Sequence, residues 1–223
     1  MQRSLVVLLS VVGLTAVACG SSAKSGDSAK ATTTTQPAPT TVSTATVPGG
    51  VAFTSQNFTV PLTMTVDPTL ASPPETETAN FITWSAKGSD DAVRIMVPVE
   101  LYKPGSLTPQ VPPVDYAGYL RGLNKDGARI TDTKNITIDG HPAQLMTVGS
   151  TSDLDGALGC PKKGADQADG CFGPQTDLVL RLAVVDINDK PTLIWARTSG
   201  ATPNDRFISK FETMLNTLHF RAD

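Results

Sequence analysis

Between Gly20 and Gly50 the chain offers almost nothing with which to build a core. The stretch GSSAKSGDSAKATTTTQPAPTTVSTATVPGG holds thirteen Ser or Thr and three Pro in 31 residues, with no aromatic residue and no Leu, Ile or Met. A segment of that composition cannot bury enough apolar surface to offset its loss of chain entropy, so it reads as a disordered tether. As a flexible coil it reaches on the order of 30 Å. Folding is thereby confined to residues 51–223, 173 in all. That is the size of a single domain with one core.

Ahead of the tether, Arg3 precedes an uncharged, apolar run from Leu5 to Val17. The run falls short of the roughly 20 apolar residues a spanning helix needs. Its length and flanks are those of a secretory signal over residues 1–18. The sequence Ala16-Val17-Ala18-Cys19-Gly20 resembles a bacterial lipobox, with Ala16 where Leu is usual. The resemblance implies a diacylglycerol on the Cys19 thiol, cleavage just before it, and a tether over residues 19–50. Two or three acyl chains hold a protein stably on a membrane, so the implied location is the extracytoplasmic face of the cell membrane. The alternative is an ordinary cleaved signal in which Cys19 falls at the required position by chance.

Within 51–223, period-two alternation dominates. Phe58, Val60, Leu62, Met64 and Val66 share one parity, with Thr59, Pro61, Thr63 and Thr65 on the other. This predicts a half-buried strand, placed at a sheet edge by Pro61. Val93 to Leu101 repeats the pattern, with Pro98 pointing to an edge or bulge, and Phe81 to Ala86 is a shorter strand. Asp139-Gly140 joins Asn135–Ile138 to His141–Gly149 as a hairpin. A second hairpin runs from the alternating Leu178, Leu180, Leu182 and Val184 through Asn188-Asp189-Lys190 to Thr192–Arg197.

Two segments have helical spacing. Asp115 caps the first, with Tyr116, Tyr119, Leu120 and Leu123 on one side. Thr202 caps the second, with Pro203 in the first helical position, Asp205 completing a capping box and an apolar stripe of Phe207, Phe211, Met214, Leu215 and Leu218. A last strand ends at Phe220. Helices serving one antiparallel sheet of about six to seven strands make the class α+β.

The layout, with FTVPLTMTV (58–66), DGHPAQLMTV (139–148) and FETMLNTLHF (211–220), resembles the actinobacterial LpqN-type lipoproteins. The resemblance implies a Mog1/PsbP-like α/β/α sandwich and a role in envelope binding or scaffolding. It carries no catalytic motif and transfers no functional residue.

Cys160 and Cys171 bracket a long Gly-rich loop, about Thr151 to Thr176. Outside the membrane such a pair is expected to form a disulfide. With only His141 and His219 to join them, they make a poor metal site. The loop also carries Asp153, Asp155, Asp166 and Asp169 against Lys162 and Lys163, with Phe172 beside the second cysteine. These carboxylates lack calcium-loop spacing. The loop therefore reads as a solvated, stapled surface for partner recognition, removable between 157 and 173 without loss of the fold.

The residues point to no metal, cofactor or catalytic centre. Neither histidine has an evident Ser partner, no GxSxG occurs, and the SxxK match Ser21–Lys24 lies in the tether. The pairs Asp90-Asp91 and Glu75 with Glu77 read as solvated charge. After the tether the domain has 15 basic and 20 acidic residues. No basic patch interleaved with aromatics is present, so nucleic acid is not an expected partner. Trp84 and Trp195 read first as core aromatics. Alternatively they line, with Tyr116, Tyr119 and Phe172, an apolar pocket under the first helix, as a carrier or sensor of a hydrophobic ligand requires. The leading expectation is a membrane-anchored binding module for an envelope or cell-surface protein.

Overall fold

The computed structural model describes residues 46–200 and 202–221. The signal segment, Cys19 and the tether through residue 45 lie outside the described residues. The class is α+β: the described residues form two α-helices, a seven-stranded sheet and a three-stranded sheet.

The large sheet has the order β3-β4-β5-β9-β8-β7-β6. Its strands are β3 (Thr76–Glu77), β4 (Phe81–Ser85), β5 (Ala92–Met96), β6 (Ala128–Ile138), β7 (His141–Ser150), β8 (Leu178–Ile187) and β9 (Lys190–Ser199), and every neighbouring pair is antiparallel. Two tight turns set the long hairpins. Asp139 and Gly140 have φ of 49° and 81°, and Asn188 and Asp189 have 52° and 60°. Positive φ at both central positions matches the right-handed twist of the flanking strands. Lys190, expected in the second turn, opens β9 opposite Ile187.

Both faces of this sheet are covered, which is why β8 is buried at every position from Leu178 to Val185. Leu178, Leu180, Leu182 and Val184 belong to one apolar cluster with Met96, Met146, Leu193 and Trp195. Ala183 and Val185 belong to another with Ile82, Trp84, Ile95 and Ile194. The predicted alternation is real, but the parity assigned to solvent meets a second layer.

That second layer is helix α2 (Asp205–Leu215) with the small sheet. Phe207, Phe211, Met214 and Leu215 of α2 enter the Trp84 cluster together with Leu62, Met64 and Val66. The small sheet has the order β1-β2-β10, from Val51–Thr54, Leu62–Val66 and His219–Phe220. β2 is its central strand, which corrects the edge placement inferred from Pro61. The strand begins one residue after the proline, so the missing N–H takes nothing from the ladder. Pro61 instead accepts the Arg221 amide at 2.8 Å. β5 likewise lies between β4 and β9 and stops before Pro98. Val47, on the tether side of residue 51, is buried in this same cluster.

The α2 cap also differs from expectation. Asn204, not Thr202, caps the helix, accepting the Phe207 amide at 3.2 Å. Its amide nitrogen donates to Asp91 Oδ2 at 2.9 Å. That tertiary contact selects among several capping-competent residues.

The opposite face is covered by α1 (Tyr116–Gly122), a 3₁₀ turn (Leu123–Asp126) and the disulfide loop. Asp115 caps α1 as expected, accepting the Gly118 amide at 2.7 Å. The loop is solvated as expected over 162–164 and at Asp166 and Asp169, but not throughout. Leu154, Ala157, Leu158 and Cys160 are buried, three of them in the cluster of Met146, Leu180 and Trp195. The backbone of 97–101 pairs with this loop: Val99 donates to Cys160 O at 2.9 Å and Cys160 to Glu100 O at 2.7 Å. Gly173 passes so close to Leu154 that a Cβ there would sit 1.8 Å from the Leu154 carbonyl oxygen. Removing 157–173 would therefore strip a layer from the core, which corrects the reading of a dispensable loop.

Candidate functional site

The disulfide joins Cys160 and Cys171 with their Cα atoms 4.2 Å apart. Around it, two of the expected recognition side chains, those of Asp153 and Asp166, serve the loop itself. Asp153 Oδ1 accepts the Thr176 amide at 2.9 Å and so ties the two ends of the loop together. The carbonyl of Asp155 accepts from Gln167 Nε2 at 2.9 Å. Asp166 Oδ1 accepts the amides of Ala168 and Asp169 at 2.9 and 3.1 Å, shaping a turn. Lys162 and Lys163 are exposed. Among the described residues no group of three or more His, Cys, Asp or Glu could hold a metal ion.

The histidines sit on the far side of the sheet from the loop's business. Asp139 Oδ1 pairs with His219 Nδ1 at 2.8 Å, and its other oxygen accepts the Phe220 amide at 2.8 Å. Burial pushes Asp139 up, yet the His219 and Phe220 hydrogen bonds outweigh it and hold the carboxyl below its usual range. The His141 ring meets Phe220 edge-on, with centroids 5.6 Å apart. These contacts fasten β10 to the β6–β7 turn. Catalysis through a histidine needs a nucleophile within hydrogen-bond reach, and here the partner of His219 is a turn carboxylate.

Of the pairs read as solvated charge, Asp90 and Glu75 are exposed as expected, while Glu77 Oε1 accepts the Asn57 amide at 2.8 Å and buried Asp91 receives both Asn204 and the Ser199 amide. Of the residues of the proposed aromatic pocket, Trp195, Tyr116, Tyr119 and Phe172 share one cluster, while Trp84 lies in the cluster on the opposite face. The hydroxyls of Tyr116 and Tyr119 donate to the carbonyls of Leu158 and Ala157, at 2.8 and 3.1 Å.

What the structure does assemble beside the disulfide is a cleft of about 190 Å³ that contains two arginines. Arg94 on β5 pairs in register with Trp195, and Ala92 with Arg197 on β9. Arg94 and Arg197 are thus diagonal neighbours on one face of the sheet. Leu178, Leu180, Trp195 and Phe172 supply apolar wall, and Asp169 lies on the border. Phe172 stacks on Phe81 at 4.7 Å and meets Trp195 at 5.6 Å. The Arg94 guanidinium carbon stands 4.9 Å from the Phe172 ring centre, a cation–π arrangement.

Neither guanidinium is neutralised. Arg197 Nη2 donates to the Asp90 carbonyl at 2.8 Å. The Nε atoms of Arg94 and Arg197 are sealed from solvent without an acceptor. Among the described residues neither arginine is in a salt bridge. Burial and the neighbouring Arg197 charge pull Arg94 down to about 10, with Glu75 acting in the opposite direction. Arg181 on β8 shows the contrast. It is more deeply buried, yet it reaches Glu212 Oε1 at 2.7 Å and Asp132 Oδ2 at 3.0 Å.

Sequence reasoning placed Phe172 and Asp169 in a candidate surface but missed Arg94 and Arg197. Arg94 stands on the parity opposite Val93, Ile95 and Val97, where a charged side chain reads as solvent-facing, whereas Arg197 shares the parity of Trp195 but sits at the end of the predicted strand Thr192–Arg197. The available signal was an arginine inside an otherwise apolar strand, in AVRIMV and LIWAR.

No family model and no curated protein matches the chain. Solved structures do resemble it. A Pseudomonas aeruginosa protein of unknown function is 13% identical, with 78% of this chain and all of that one covered and a TM-score of 0.40. Cyanobacterial PsbP from Synechocystis sp. PCC 6803 is 11% identical over 72% of this chain and 86% of its own, at 0.38. The Saccharomyces cerevisiae Ran-binding protein Mog1p is 10% identical over 76% and 95%, at 0.41. Mog1 and PsbP structures are therefore among the neighbours, and no residue role or partner passes from them to this chain.

Proposed function

We propose that the chain is an envelope lipoprotein of the LpqN type. In this reading Cys19 is acylated, residues 19–50 hold the domain off the membrane, and the domain binds an envelope or cell-surface protein without catalysing a reaction. The supporting observation is the cleft beside Cys160–Cys171, which presents two unneutralised guanidiniums and an aromatic wall. Buried charges without partners are costly, and a surface that keeps them exposed to a cleft is suited to recognition. The disulfide itself accords with an oxidising compartment.

Anchoring is tested by Cys19→Ser, which is expected to move the protein from the membrane to the soluble fraction; retention on membranes overturns it. Binding is tested in cells with a photo-crosslinking side chain at Asp169, compared with one at exposed Lys190. A discrete adduct from position 169 alone is expected, and identical adducts from both positions overturn the reading.

A further inference from the structure

The chemistry of the cleft narrows what can occupy it, and this step rests on the domain being a binding module. Arg94 and Arg197, on adjacent strands, both line it. Leu178, Leu180 and Trp195 back the cleft but are buried, and Phe172 is stacked on Phe81 and faced by the Arg94 guanidinium. What the cleft exposes is therefore mostly polar. Hydrogen bonding and charge, rather than an apolar body, select the occupant.

The wall is rich in donors and poor in acceptors. Each guanidinium carries five N–H donors and no acceptor. Among the described residues the pair makes one side-chain hydrogen bond, from Arg197 Nη2 to the Asp90 carbonyl at 2.8 Å, and no salt bridge. Asp169 is the one carboxylate among the lining residues. It is exposed at the border and forms a salt bridge with neither arginine. Glu75, whose charge acts on Arg94, accepts instead from Ser85 Oγ at 2.8 Å.

An occupant that meets this wall must supply acceptors and negative charge, which describes an oxyanion. Guanidinium forks hold oxyanions by paired, charge-assisted hydrogen bonds. A carboxylate is planar, and its two oxygens fill one fork. A tetrahedral anion has oxygens for two forks at once. We propose that the Arg94–Arg197 cleft binds a tetrahedral oxyanion, a phosphate or sulfate group, held by both guanidiniums. That chemistry is shared by a free inorganic ion and by a phosphate ester on a larger molecule.

The test is calorimetric titration of the full chain in detergent micelles with sodium phosphate, sulfate and acetate, in chloride buffer of matched ionic strength. Saturable binding of phosphate or sulfate is expected, with acetate weaker by about tenfold or more, as for loss of one charged hydrogen-bond partner. R94M and R197M are each expected to weaken the tetrahedral anion by about tenfold or more. Asp169→Asn removes a like charge at the border and is expected to tighten it. Acetate binding as tightly, no saturable binding of phosphate, sulfate or the ester below, indifference to both arginine variants, or weakening by Asp169→Asn overturns the inference. Should an arginine variant fail to fold, the acetate comparison and Asp169→Asn decide.

Glycerol 3-phosphate separates the sources. Tighter binding than that of inorganic phosphate assigns an ester on a larger molecule, and binding no tighter assigns the free ion. A protein that crosslinks from position 169 yet binds none of these anions retains the broader reading and loses this one.

Discussion

Tyr116 donates its hydroxyl to the carbonyl of Leu158 at 2.8 Å, deep in the layer between α1 and the disulfide loop. The tyrosine is almost fully buried, and burial drives its hydroxyl pKa well above the ordinary value. The group is therefore a permanent donor at any accessible pH. Tyr116→Phe leaves the ring and strands a buried carbonyl, at a cost of about 1–3 kcal/mol. Urea unfolding of the two proteins measures it. Tyr119→Phe, whose hydroxyl is less buried, is expected to cost less, and equal stability of all three would mean the loop is not held through these hydroxyls.

Deleting 157–173 is expected to lower the melting temperature sharply or to prevent folding. The segment carries Ala157, Leu158 and Cys160, all essentially without exposure, and its removal uncovers Met146, Leu180 and Trp195. Reducing Cys160–Cys171 is a milder perturbation. Closing a loop of this length contributes roughly 3 kcal/mol in the chain-entropy model. Thermal melts with and without reductant, beside the deletion, should rank the three proteins in that order. A deletion protein that melts like the parent would return the loop to the status of a surface ornament.

Local chemistry was readable, and assembly was not. Asp139-Gly140 and Asp115 announce a turn and a cap because the required backbone geometry is decided within a few residues, and both are where the sequence puts them. β1 escaped notice because VAFT pairs with β2 across an intervening loop and is mostly exposed. Parity in one strand does not say which face another strand shares, so Trp84 and Trp195 looked like partners when they lie back to back. Arg94 and Arg197 were hidden for a related reason. Arg94 has the polar parity of its strand and Arg197 ends its own, and the cover of that face by a loop distant in sequence is a tertiary fact.

Arg181 supplies a test of how far a buried guanidinium depends on its anions. Its side chain is 1% exposed, while Glu212 and Asp132 are 40% and 50% exposed. Solvent screening reduces what each exposed carboxylate contributes, so Glu212→Gln is expected to cost about 1–2 kcal/mol with Asp132 still in place. Asp132→Asn combined with Glu212→Gln should cost more than the sum of the singles, because the second loss leaves a buried charge unpaired. Chemical denaturation of the four proteins in this cycle gives the coupling, and strict additivity would show that the two carboxylates act independently on Arg181.

Asp139 and Asp67 give the domain a defined response to acid. For Asp67 burial pushes upward, but hydrogen bonds from Thr69 and Lys210 prevail and hold it below its ordinary value, as His219 and Phe220 do for Asp139. A carboxyl depressed in the folded state stabilises fully above its unfolded pKa of about 4, and that stabilisation is lost as pH falls through the folded value. Stability should therefore decline below about pH 4 more steeply in the parent than in Asp139→Asn or Asp67→Asn. The variants start lower at neutral pH, having lost the charged acceptor that fastens β10 or α2, and they converge with the parent in acid. Urea midpoints between pH 2.5 and 7 would show this convergence. Curves that stay parallel down to the lowest pH would mean that neither carboxyl is held by its partners in the folded protein.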